Sequence, residues 1–172
     1  MKKTFIMYVK HIQHKDKKVT ELLDKLSNEQ REKDCGSYYK SLSGIYRHVG
    51  GCAAVFLNFL KAALSEGSEA KTVASPAVEQ ESKEALSEAQ WKSFKTFIEN
   101  VDAAFLDFVT KLTDAELNTQ VKWFSGDMVS LEYALHAYIM HQAHHLGQIA
   151  QALDELKVDN DFSGIPLEFF KK

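Results

Sequence analysis

Between Trp91 and Leu112, large apolar residues return every three or four positions, at Trp91, Phe94, Ile98, Val101, Phe105, Phe108 and Leu112. That interval is the repeat of an α-helix, and a stripe this long and broad must be covered by other elements. Three further stretches show the same periodicity, near residues 5–26, 41–64 and 131–156. The first carries Phe5, Tyr8, Ile12, Val19, Leu22, Leu23 and Leu26, and the second Ile45, Val49, Cys52, Phe56, Phe59 and Ala63. No stretch alternates as a run of strands would. The chain therefore reads as all-α, with its third helix over about 87–112.

The connections are unequal. "LSNEQREKDCG" ends the first helix, while the polar stretch over 65–86, with Pro76 in it, is long for a link inside a compact bundle. It reads as a crossover or a lid. The stretch before the fourth helix contains Trp123, Phe124 and Gly126, and offers Asp127 or Ser130 as the cap. The tail "DFSGIPLEFFKK" is aromatic enough to pack back on the body. With 172 residues and 45% apolar content, one domain over 1–172 is expected. Trp91, Phe169 and Phe170 exceed what a small core readily absorbs, which predicts a homodimer.

Charge and composition exclude several classes. A net charge of −3 with interspersed signs gives no basic stripe for a phosphate backbone, so no nucleic-acid partner is expected. Lys10 and the charges after it break the N-terminal apolar run too early for a secretion signal. No stretch reaches the roughly 20 apolar residues of a membrane span. Cys35 and Cys52, without a CxxC spacing, fit a reducing compartment. A soluble, cytoplasmic protein follows. No GxSxG or phosphate-binding glycine loop is found, and Glu132 and His136 miss the Glu-x-x-His spacing of di-iron bundles.

The fourth helix holds "HAYIMHQAHHLGQIAQAL", with histidines at 136, 141, 144 and 145. At about 100° per residue, His141 and His145 lie about 40° apart, on a face shared with Tyr138 and Ile149. His144 and His136 turn toward a loop or water. An imidazole in an apolar stripe must pair its ring nitrogens, at a penalty of about 1–3 kcal/mol for each one left alone. Two readings meet that need. In one, Tyr138, Gln148 or backbone carbonyls hold the rings; in the other, an i, i+4 pair chelates a metal. On the second helix His48 shares its face with Cys52 and Phe59, so it too points inward and could add a third imidazole. Three neutral nitrogens would leave a position open for water or substrate. Cys52 could fill that position or be a small buried thiol. Gly50 and Gly51 sit mid-helix, which a close helix approach or a local kink would explain. His11 and His14, among lysines, read as surface residues.

"SLSGIYRHVGGCAAVFLNFL" and "HQAHHLGQIAQAL" resemble the second and last helices of the DinB-like (DinB/YfiT) metalloproteins, with the specificity carried by His48, His141, His145, Gly147 and Gln148. The resemblance implies an up-down-down-up four-helix bundle with a long crossover between the second and third helices. It also implies a divalent metal, zinc or nickel, held by His48, His141 and His145. Gln148 and Tyr138 are then candidates to orient a ligand ring, with Cys52 nearby. Members with an activity act as metal-dependent transferases or isomerases with low-molecular-weight thiols, so a small-molecule electrophile is the implied substrate. Leu146 stands where the family often has Arg. The competing class is a binding or interaction module with a structural or vestigial metal, favoured if Phe56, Phe59 or Trp123 plugs the site.

Overall fold

The computed structural model describes residues 1–77, 84–162, 164 and 166. It contains the helices α1 (Lys2–Leu23), α2 (Asn28–Glu32), α3 (Leu42–Ala62), α4 (Glu88–Lys111) and α5 (Leu131–Glu155). A short antiparallel hairpin of β1 (Gln120–Lys122) and β2 (Met128–Ser130) precedes α5. The all-α expectation holds broadly, and the hairpin departs from it. Its turn is closed by Trp123 N–H donating to Asp127 O, with Gly126 at φ 96°. Three-residue strands are too short for alternation to show in the sequence.

Serine side chains set the helix starts. Ser41 accepts from Gly44 N–H and Ser130, rather than Asp127, from Tyr133 N–H, fixing the N-termini of the two histidine-bearing helices. Ser87 and Gln90 form a capping box for α4. Ser27 and Gln30 do the same for α2, so the segment read as a plain helix end folds into a further turn of helix. From α2, buried Arg31 donates to Leu23 O and Leu26 O, satisfying carbonyls near the end of α1.

α1 packs on α4 and α5, and α3 packs on the same two helices. Along α1 and α4 the partners run in opposite directions. Lys2 meets Asp114, Gln13 meets the carbonyl of Asp102, and Asp24 meets Trp91 and Lys95. Along α3 and α5 the order is also opposed, since His48 meets His141 while Phe56 meets Tyr138. α3 and α4 run together, with Tyr46 against Trp91 and Gly50 against Ile98.

The apolar core forms two clusters. One gathers Phe5, Phe56, Phe105, Phe108 and Tyr138; the other gathers Val19, Ile45, Tyr46, Trp91, Phe94 and Ile149. Along α5 the first cluster stops at Tyr138 and the second resumes at Ile149, and His141 and His145 fall in the gap. Trp91 is 1% exposed and its indole N–H donates to Asp24, so the core absorbs it and it gives no motive for a dimer. Phe169 and Phe170, the rest of that motive, lie outside the described residues. Phe162, from the start of the tail, packs against the second cluster. No helix among the described residues is long and apolar enough to cross a membrane.

Candidate metal centre

His48 projects from α3 and His141 and His145 from α5, because the antiparallel packing of these helices sets their facing turns opposite one another. His141 Nε2 stands 3.1 Å from His48 Nε2 and 3.1 Å from His145 Nε2. The rings of His48 and His145 lie 4.6 Å apart between centroids, nearly perpendicular. Cys52, one turn after His48, places its Sγ 3.5 Å from His48 Nε2. The donor atoms of His48, Cys52 and His141 all lie within 4.8 Å of one another.

The donor set fits a cation. Metal–nitrogen distances of about 2.0–2.1 Å, at angles between octahedral and tetrahedral, separate ligand nitrogens by about 2.8–3.4 Å. The two 3.1 Å spacings fall in that interval. Gln148 Oε1 lies 2.8 Å from His145 Nδ1 and can only accept, so the ring proton sits on Nδ1 and Nε2 presents a lone pair toward His141. A proton on His141 Nε2 can point well at only one of its two neighbours. A cation lying between the rings would accept lone pairs in place of that proton, and among the described residues the group whose donor atoms are mutually close is His48, Cys52 and His141 rather than the three histidines. Burial, with His48 and His144 nearby and against the Gln148 hydrogen bond, holds His145 below the ordinary histidine pKa and so favours the neutral ring.

Tyr39 is a neighbour that the sequence reading missed. Its ring stacks on His48 with centroids 4.0 Å apart, and its hydroxyl lies 2.9 Å from His48 Nε2. The turn before α3, with Gly36 and Lys40 at positive φ, carries it there. Periodicity marks no loop residue, so only the three-dimensional turn discloses this tyrosine.

Other residues singled out in the sequence take different places. Tyr138 is buried and stacks on Phe105 at 4.0 Å, which makes it a packing residue. Phe56 flanks His141 at 6.2 Å, whereas Phe59 and Trp123 pack with Phe56 and Phe124. Phe124 remains 62% exposed, so this aromatic wall opens to solvent. Leu146 packs against the second core cluster. His136 and His144 are exposed. His11 and His14 are both half-buried rather than surface residues, and His11 Nδ1 is enclosed where α1 meets α5.

Helices packed around an interhelical cluster of imidazoles define a histidine-centred helical protein. The chain belongs to the DinB family, whose model matches residues 1–158. Searches of curated proteins and of solved structures return no match.

Proposed function

We propose that this protein is a metal-dependent transferase that joins a low-molecular-weight thiol to an electrophilic small molecule, using zinc or nickel held by His48, His141 and His145. The observation that carries the reading is the pair of 3.1 Å contacts that His141 Nε2 makes with the other two Nε2 atoms. The opposed partner order of α1 with α4 and of α3 with α5, with α3 and α4 parallel, supports an up-down-down-up bundle around this centre.

His48, His141 and His145 would hold a divalent ion as neutral ligands, and the charge it would retain would lower the proton affinity of a thiol bound beside it. The chain's own residues do the remaining work. Gln148 keeps the His145 proton on Nδ1 and turns Nε2 inward. The Tyr39 hydroxyl, beside His48 Nε2, is a hydrogen-bonding group for whatever approaches the cluster. Phe56 shields His141 from water on one side. In the reaction the sulfur forms a bond to carbon, the leaving group departs with its electron pair, and the thiol proton passes to solvent. Leu146 supplies no positive charge, so an anionic thiol would be held by other contacts.

One observation favours a second reading, a binding module with a structural ion. Cys52 Sγ is close enough to the cluster to close a four-ligand site. The two readings separate in one experiment: turnover in a panel of thiols and electrophiles, with the metal-loaded protein, the chelated protein and His141→Ala. The transferase reading expects turnover in the first alone, with helical circular dichroism kept in all three. Turnover that survives chelation refutes it. Absence of turnover in the loaded protein, with the metal retained, favours the structural ion.

A further inference from the structure

The residue that follows each site histidine, namely Val49, Gln142 and Leu146, lines a separate cavity of about 80 Å³ between α1, α3 and α5. It backs onto the histidine cluster without being part of it. Ile12, Ile139 and Ile149 make up much of its largely apolar wall, to which Tyr8, Ala143 and the buried Lys15 also contribute. One water-sized group takes about 10–15 Å³ of such space, so there is room for a molecule of several heavy atoms.

Among the polar groups on the wall, Lys15 is buried on the side of α1 and interacts with the charge of Asp161 rather than standing alone. Gln142 uses one amide N–H to donate to Val49 O. Asp16 lines the cavity with its carboxyl hydrogen-bonded to Asp102 in a buried pair, which disfavours an anion beside it. His11 Nδ1 is different: it is enclosed and has no hydrogen-bond partner among the described residues. A buried nitrogen left alone is destabilising, and it points to an occupant with a complementary group. A neutral imidazole nitrogen is a donor in one tautomer and an acceptor in the other, and a hydroxyl can pair with either.

We propose that this cavity is a binding site for a neutral, mainly apolar small molecule of about phenol size, held by a hydroxyl paired with His11 Nδ1. The site is distinct from the histidine centre and requires no metal. A ligand there touches the turns that carry all three histidines.

Phenol, toluene and benzoate are the probes, titrated into the full chain in the presence and absence of chelator and followed by calorimetry and ligand-detected NMR. Phenol binds one per chain under both conditions, toluene binds about five- to tenfold more weakly for want of the hydrogen bond, and benzoate does not bind. Cross-relaxation places the phenol ring against the methyl groups of Val49 and Ile139. His11→Phe, which keeps a ring and removes Nδ1, reduces phenol to the affinity of toluene. The proposal is overturned if phenol fails to bind at millimolar concentration, if toluene or benzoate matches it, or if its contacts lie elsewhere. The probe series and the contact map need no variant, so a His11→Phe protein that misfolds does not spare the proposal.

Discussion

Gly50 on α3 lies so close to Ile98 on α4 that a Cβ added there would overlap Ile98 Cδ1. Phe94 Cζ and Phe97 Cε1, each 3.4 Å from the same point, restrict where Ile98 could move. The neighbouring Gly51 meets nothing within 4 Å. The two mid-helix glycines therefore have different reasons to be there, and only one serves helix packing. Gly50→Ala should destabilise by about 1–3 kcal/mol through overpacking. Gly51→Ala should stabilise by about 0.5–1 kcal/mol through helix propensity. Thermal unfolding of the two variants checks this, and shifts of the same sign would contradict it.

The carboxyls of Asp16 and Asp102 predict a pH dependence of stability. Burial raises Asp16 to about 7, against the opposing hydrogen bond from Asp102. Burial and the neighbouring Asp16 raise Asp102 as well, and Glu99 adds to it. A carboxyl whose folded pKa lies above its unfolded value binds protons more tightly when folded. Its contribution is complete below the ordinary value of 3.8 and is lost as the pH rises through about 7. Urea unfolding between about pH 5 and pH 8 should thus show the parent losing stability relative to Asp16→Asn. A constant difference between the two proteins would contradict the assignment.

Gln148 tests positioning at the site. Removing its carbonyl frees the His145 ring to flip and to shift its proton, so Gln148→Ala should weaken metal binding about 10- to 100-fold while removing no ligand residue. A competition titration with a metal indicator measures the change. Unaltered affinity would show that the 2.8 Å contact does not orient the ring.

Cobalt distinguishes the role of Cys52. If three imidazoles bind the ion, the cobalt-loaded protein lacks an intense near-ultraviolet thiolate band, and Cys52→Ala leaves its spectrum and affinity nearly unchanged. A band that vanishes in Cys52→Ala would make the cysteine a ligand and the site a closed one.

Much of this was legible in the sequence because it depends on periodicity. The stripe from Trp91 to Leu112 is buried at each position named, and the four long helices lie within a few residues of their predicted limits. The same counting put His48, His141 and His145 on inward faces. Features that depend on packing between elements were not legible. Tyr39 reaches His48 through a tight turn with no sequence period. His11 looked solvated among lysines, but α1 is covered on that side by α5, which encloses one of its nitrogens. The hairpin before α5 is too short to alternate, and its aromatics pack in contact with Phe56 rather than forming a loop.

The central claim is that three histidines from two helices share one ion, and elemental analysis of the purified protein tests it most directly. One divalent ion per chain is predicted, lost in His48→Ala, His141→Ala and His145→Ala, and kept in His136→Ala, whose ring is exposed and pairs with Glu132 instead. Metal retained by His145→Ala, or lost equally from His136→Ala, would contradict it.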